Sequence, residues 1–161
     1  SDVAKAFQAS WNDFFWDPAS LVFDAPIPST LAIARAAALR GARQIYLTCR
    51  HDTYFAETLK QLQRVGAPDA CAQNLICKPT VDSDGKPVFT PPYKAQELRR
   101  IIESGTTIAF FATEGRRDVS HVQSVLKNVE CVLLDHPFER DAPFQVAKNT
   151  PILSFTRSTC S

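Results

Sequence analysis

The stretch TTIAFFATEGRRDVSHVQSVLKNVECVLLD, residues 106–135, contains the pattern that decides the fold. It opens with TTIAFFAT, 106–113, the most strand-like run in the chain, and closes with ECVLLD, 130–135, a second apolar run. Residues 119–127 lie between them and predict a helix, with Asp118 as its N-cap. A strand, a helix and a strand in this order predict two parallel strands joined by a right-handed crossover.

Strand-like and helix-like segments keep alternating on the N-terminal side of residue 106. Gly41, Gly66 and Gly105 each follow a helical pattern and are predicted as helix stops. A loop or hairpin at 78–91 carries a predicted turn at Asp84–Gly85. The predicted strands are 14–16, 44–49 and 74–77, and the predicted helices are 29–40, 53–65 with Asp52 as its N-cap, and 93–104 with Leu98, Ile101 and Ile102 inside.

This alternation predicts an α/β fold: a three-layer, Rossmann-like domain whose core is a parallel sheet of about five strands covered on both faces. Residues 1–135 are predicted as the domain. Residues 136–161 are predicted as a Pro-containing C-terminal extension that packs on the domain or on a partner, and in it only ILSFT looks extended.

Composition narrows the classes of function. The chain has 161 residues, a formal net charge of +1 and no long block of like charge, which argues against nucleic acid as a partner. Five cysteines without a CxxC pair give no support to zinc and predict an intracellular, reducing compartment. There is no run of ~18 apolar residues, so no membrane span is expected. Because the chain contains no methionine, even at position 1, we expect a processed mature protein or an excised fragment, and mitochondrial residence is favoured.

In open parallel sheets the functional crevice lies beyond the carboxyl ends of the strands. The residues that follow the predicted strands are therefore the first candidates for a site. They are Asp17 to Ser20, Thr48 to Arg50, Lys78, Ala112 to Arg117, and Asp135 with His136.

Several of these segments resemble the motifs of the haloacid dehalogenase (HAD) superfamily, most of whose members are phosphatases. LTCR, 47–50, is similar to the hydrophobic–Thr–Gly–Arg motif, and Lys94 opens a helix where the family places its lysine. TIAFFATEGRRDVSHV, 107–122, resembles the fourth motif strand and its loop. The order Glu114, Arg116, His121 is similar to the HAD-like domain of Swiss Army Knife RNA repair proteins. The resemblance covers roughly residues 12 to 135.

The resemblance implies an Asp nucleophile, a second Asp two residues later, Thr and Lys for the phosphoryl group, and one or two acids after the fourth strand for Mg²⁺. The first motif of the family, Asp-x-Asp-x-Thr, is not present in a working form. If Ser20 takes the Thr position, Trp16 and Pro18 replace the two acids. If Asp17 is the nucleophile, Ala19 and Leu21 fill the other positions. We count Glu114 as the surviving acid of the later loop.

The vestigial candidates are Asp17, Ser20, Thr48, Lys94 and Glu114, and all but Ser20 also have a structural interpretation. Asp17 before a proline commonly marks a turn. Thr48 can bind phosphate or bond local backbone. Lys94 can neutralise a phosphoryl group or be solvated in a first helical turn. Glu114 can bind a metal or form an exposed ion pair.

We therefore expect a non-catalytic HAD-fold protein, without cofactor or metal, acting as an accessory subunit of a larger assembly. Its expected partner surfaces are the C-terminal tail and the aromatic N-terminus, which carries Phe7, Trp11, Phe14, Phe15 and Trp16. The alternative is a Mg²⁺-dependent phosphohydrolase, acting on nucleic-acid ends, that uses Asp17, Thr48, Lys94 and Glu114. A third possibility is a sensor of phosphate ligands that binds without turnover.

Overall fold

The computed structural model describes residues 28–135 and 150–154, together with the single residue 5. The chain divides into two compact units, residues 1–77 and 78–161. The described helices are α1 (Pro28–Leu39), α2 (Phe55–Arg64), α3 (Thr90–Glu103) and α4 (Arg116–Val125), and the described strands are β1 (Tyr46–His51), β2 (Leu75–Lys78), β3 (Phe111–Thr113), β4 (Cys131–Asp135) and β5 (Ile152–Ser154). Short 3₁₀ turns precede α2 at Asp52–Tyr54 and β2 at Ala72–Asn74.

The C-terminal unit is built on a three-stranded parallel sheet with the order β3-β4-β5. Phe111 pairs with Cys131, and Leu133 pairs with Ile152. α4 packs on β3 and β4, and α3 packs on α4. The innermost side chains are Val119 and Val122 of α4 and Leu133 of β4, all three with no exposed surface. Burying a side chain of this size contributes about 1.5–3 kcal/mol, so this contact between helix and sheet is the centre of the unit's core.

The N-terminal unit contains α1, α2 and the two-stranded sheet of β1 and β2. Its polar contacts tie the loop after α2 to the start of β1. The backbone N–H of Gln44 donates to Asp69 Oδ2 over 3.0 Å, and Arg43 Nε donates to Asn74 Oδ1 over 2.7 Å. The hydroxyl of Tyr46 donates to the carbonyl of Pro68. These bonds satisfy polar groups of the loop between α2 and β2.

The three predicted helix stops are confirmed. At Gly66 the backbone φ is +67°, and the N–H groups of Gly66 and Ala67 donate to the carbonyls of Gln63 and Leu62. This is the Schellman arrangement, in which a left-handed residue reverses the chain and satisfies the last carbonyls of the helix. Gly41 ends α1 and Gly105 ends α3 with the same pair of bonds.

The segment between β2 and α3 forms the predicted turn. Val81 and Pro87 make an antiparallel bridge, and the N–H of Gly85 donates to the carbonyl of Asp82 over 3.1 Å. Asp82 Oδ1 also accepts the N–H groups of Asp84 and Lys86. The turn is therefore held by one residue, Asp82, whose carboxylate and backbone carbonyl together accept the N–H groups of three successive residues.

Several local predictions differ from the structure. Only Phe111–Thr113 of TTIAFFAT is a strand, and Ile102 is 40% exposed rather than inside. Asp52 is not the N-cap of α2, because a 3₁₀ turn precedes that helix and no side chain caps it. The helix at 119–127 begins earlier, at Arg116, so Asp118 lies within its first turn and is not its cap.

At the coarse level the α/β prediction is confirmed: helices alternate with short strands, and the pairings β3-β4 and β4-β5 are parallel. In the described part of the chain the strands form two sheets, of two and three strands, so the single sheet of about five strands stays a prediction. The strand predicted at 14–16 lies outside the described residues. Part of ILSFT does form a strand, 152–154, and the packing of the rest of the extension stays a prediction. None of the described helices is long and apolar enough to cross a membrane.

Candidate functional site

The carboxyl end of β3 brings together several of the predicted site residues. β3 ends at Thr113, Glu114 and Gly115 form the turn, and α4 begins at Arg116. The hydroxyl of Thr113 accepts the backbone N–H of Gly115 over 3.3 Å, and the carbonyl of Gly115 accepts the N–H of Val119 over 3.1 Å. The turn from strand to helix is thus fixed by bonds at both of its ends.

Lys94 lies early in α3 and is almost completely buried, with 9% of its surface exposed. Its neighbours Tyr93, Ala95 and Leu98 belong to the core, so this face of α3 is turned inward. Lys94 Nζ forms an ion pair and hydrogen bond with Asp118 Oδ2. The interpretation of Lys94 as a solvated lysine is therefore wrong, because its ammonium group is held inside the unit by a buried carboxylate.

Asp118 is the residue of this site that the sequence interpretation assigned incorrectly. It is 7% exposed and its carboxylate faces Lys94, so it does not cap the helix. A signal for this position was present, because Asp118 precedes the buried Val122 by four residues and so lies on the same helical face. An acid on an apolar face usually has a buried cationic partner.

The charges around this strand end have both signs. Glu114 is exposed, and Asp118 is buried in the first turn of α4, where a carboxylate interacts favourably with the helix dipole. Arg116 and Arg117, the first two residues of α4, are half-buried and exposed respectively. With Lys94 the corner holds three cationic and two acidic side chains.

Two carboxylates follow β3, where the sequence interpretation counted one. Mg²⁺ is bound in proteins through one or two carboxylates, with water and substrate phosphate completing its shell. Glu114 and Asp118 fit that requirement in donor type. Within the described residues no group of three or more His, Cys, Asp or Glu side chains comes together.

Thr48 lies in β1 of the N-terminal unit and is half-buried. Its hydroxyl accepts the backbone N–H of Arg50 over 3.2 Å. This confirms the interpretation in which Thr48 bonds local backbone. The expected position at the strand end is wrong, because β1 continues to His51. Arg50 also donates to the side chain of Gln61. In both β1 and β3 a threonine hydroxyl accepts the N–H two residues later, but Thr48 lies within β1 whereas Thr113 is the last residue of β3.

The remaining candidates, Asp17 and Ser20, lie outside the described residues. Of the five vestigial candidates, Lys94 and Glu114 belong to the C-terminal unit and Thr48 to the N-terminal unit. Comparison with known proteins adds no relative: no family model, curated protein or solved structure matches the chain.

Proposed function

We propose that the chain is a HAD-like α/β domain, with a three-layer architecture and a core parallel sheet of about five strands, that recognises a phosphoryl group at the carboxyl end of β3. The parallel order β3-β4-β5 and the helix between β3 and β4 support this architecture. The strand end is also the position at which sheets of this class bind their ligands.

The observation that carries the proposal is the buried ion pair of Lys94 and Asp118. Burying a lone ammonium group costs several kcal/mol, so chains rarely place one inside without a use or a partner. An ammonium group has three donors. Asp118 accepts one of them, which leaves further donor capacity for phosphoryl oxygens. Low exposure strengthens such bonds, because water competes less for the ammonium group.

The function this arrangement supports best is that of a Mg²⁺-dependent phosphohydrolase acting on phosphomonoesters, with nucleic-acid ends as the substrate class that the resemblance implies. Lys94 would bind the phosphoryl group, and the resemblance implies Asp17 as the nucleophile and Thr48 as a further phosphate ligand. Glu114 and Asp118 would hold Mg²⁺, which would neutralise charge on the phosphoryl oxygens. Asp118 would have a second task, since its carboxylate keeps Lys94 oriented and charged in a buried position.

The test is hydrolysis of an aryl phosphate by the full chain, with and without Mg²⁺, beside binding of inorganic phosphate. The variants are Asp17→Asn, Lys94→Arg and Asp118→Asn, and Lys127→Arg is the matched control because Lys127 is exposed in the same unit. We expect Mg²⁺-dependent turnover that falls at least tenfold in the first three variants and is unchanged in the control. Phosphate binding without turnover would support the sensor instead, and neither binding nor turnover would refute both.

A second candidate is a non-catalytic accessory subunit of a larger assembly. The assembly would be intracellular, and the mitochondrion is the compartment that the sequence favours. The observation that favours it is exposed apolar surface before α3: Phe89 is 72% exposed and Val81 is 47% exposed. Such side chains often mark partner surfaces. The aromatic N-terminus and the C-terminal tail would extend the contact. This candidate requires that the chain shows no turnover under any condition, and that Phe89→Ser lowers co-purification of its assembly while Val125→Ser does not.

A further inference from the structure

We propose that Gly115 is a positioning residue whose missing side chain leaves room for the carboxylate of Asp118. Gly115 lies between β3 and α4. A Cβ atom at Gly115 would lie 2.8 Å from Asp118 Oδ2, 3.2 Å from its Cγ and 3.6 Å from its Cβ. The first distance is shorter than any ordinary contact between such atoms. The inference rests on the proposed function in one respect: both treat Lys94 and Asp118 as the site.

Backbone strain does not account for a glycine at this position. Gly115 has φ −82° and ψ 107°, which any L-residue adopts freely. The other four glycines of the chain have positive φ and end helices or turns. Gly115 is thus the one glycine whose requirement is space beside a side chain and not a left-handed backbone.

The side chain of Asp118 cannot move away from a Cβ at position 115 without losing its other contacts. Its side chain is 10% exposed, and the oxygen nearest to Gly115 is the one that pairs with Lys94. A rotation that relieves the contact therefore moves that oxygen away from the ammonium group. The backbone of Gly115 is itself held by Thr113 Oγ1 and by the N–H of Val119. The side chain of Asp118 must move before the backbone does, so the first consequence of a Cβ is separation of the ion pair.

The experiment follows the side chain of Lys94 directly by proton–carbon NMR of lysine Cε groups in the full chain, with the signal assigned from Lys94→Arg. Asp118→Asn gives the signal of Lys94 without its negative partner. We expect Gly115→Ala to shift the Lys94 signal in the same direction and by at least half as much, with the Lys127 signal unchanged. Gly85→Ala is the control for general destabilisation of the same unit: it strains a backbone with φ +75°, but its Cβ meets nothing within 4 Å, so the Lys94 signal should not shift.

A second comparison isolates the steric cause. Asp118→Ala removes Oδ2 and Cγ, so Gly115→Ala should shift the Lys94 signal no further in an Asp118→Ala chain and should leave its Tm unchanged. If Gly115→Ala alone fails to fold, restoration of folding by Asp118→Ala supports the proposal and continued failure overturns it. An unshifted Lys94 signal in folded Gly115→Ala also overturns it.

The readout separates this inference from the proposed function. The Lys94 signal reports the ion pair whether or not phosphate binds. A shift with Gly115→Ala in a chain that neither binds nor hydrolyses phosphate would uphold the role of Gly115 and refute the phosphoryl site. The reverse result, phosphate binding without a shift, would uphold the site and refute the positioning role.

Discussion

The ammonium group of Lys94 and the carboxylate of Asp118 form a buried ion pair between residues 24 positions apart. One belongs to α3 and the other to the first turn of α4, so the pair joins the two helices beside the end of β3. It is both a structural contact of the C-terminal unit and the basis of its candidate site. Because the site and the stability of the unit use the same two side chains, stability and function have to be measured separately.

Lys94→Met should lower the free energy of unfolding by about 3 kcal/mol, because it leaves Asp118 buried and unpaired. Adding Asp118→Leu should recover most of that loss, since two apolar side chains then replace the pair. Urea unfolding measures both. Arg99→Gln is the control from the same helix: Arg99 is exposed, so its replacement should cost less than about 0.5 kcal/mol. An equal loss of unfolding free energy in Lys94→Met and in the control variant would contradict the prediction.

Gly66→Ala should destabilise the N-terminal unit more than Gly41→Ala. Both residues have positive φ, so each substitution carries about 1–2 kcal/mol of backbone strain. A Cβ at Gly66 would also lie 3.0 Å from Arg35 Nη2, which donates to the carbonyls of Val65 and Gly66, whereas a Cβ at Gly41 meets nothing within 4 Å.

Thermal unfolding of the two glycine variants, in the wild-type and Arg35→Gln chains, tests this difference. The excess cost of Gly66→Ala should disappear when Arg35 is replaced. An excess that persists without Arg35 would show that the guanidinium group is not its cause.

Tyr46 should make the folded chain less stable in strong alkali. Burial, with a smaller contribution from the charge of Asp69, raises the pKa of Tyr46 from 10.0 to about 12. Since the folded pKa lies above the unfolded value, the stabilisation is complete below pH 10 and is lost as the pH rises from about 10 to about 12. Absorbance at 295 nm should show one tyrosine ionising near pH 12, and Tyr46→Phe should remove that step. A Tyr46→Phe chain that keeps the step would assign it to another tyrosine.

Thr150→Val should loosen the docking of β5. Gln123 Nε2 donates to Thr150 Oγ1 over 2.6 Å, and Thr150 is 8% exposed. Losing this bond costs about 1 kcal/mol, so the amide of Leu133, which donates to the carbonyl of Pro151, should exchange its hydrogen about fivefold faster. Thr107→Val, at an exposed position, should leave that rate unchanged. Equal rates in both variants would mean that the bond does not hold the strand.

Local signals in the sequence predicted the helices and the glycines that end three of them, but the predicted N-caps Asp52 and Asp118 were wrong. A glycine that follows a helical pattern can adopt positive φ and so end the helix, and all three predicted stops do this. The length of β3 was not predictable in this way. Residues 106–110 have the composition of a strand, but a strand also needs a partner, and β4 begins only at Cys131, opposite Phe111. The turn through Leu126 and Val129 uses the residues that a longer β4 would need.

The candidate site was predicted in part. Glu114 was predicted as a site residue from its position after a strand and from the resemblance, and Lys94 from the resemblance. The burial of Lys94 was not predictable, because it depends on which residues from elsewhere in the chain pack against it. The partner of Lys94 was hidden because Asp118 also suits a helix start, and acids at such positions usually cap. The periodicity that places Asp118 on the face of Val122 was the stronger signal, since it concerns tertiary packing.

The parallel pairing of β5 with β4 sets an order of events while the chain is being synthesised. β4 ends at residue 135 and its second neighbour begins at residue 152, so at 5–20 residues per second one edge of β4 waits roughly one to three seconds for its partner. During that interval the backbone donors and acceptors along that edge of β4 are unpaired, next to Leu133 and Leu134. Neighbouring ribosomes on one message would present the same open edge to each other. Slow codons between 135 and 152 would therefore favour pairing between nascent chains, and fast ones would favour the monomer.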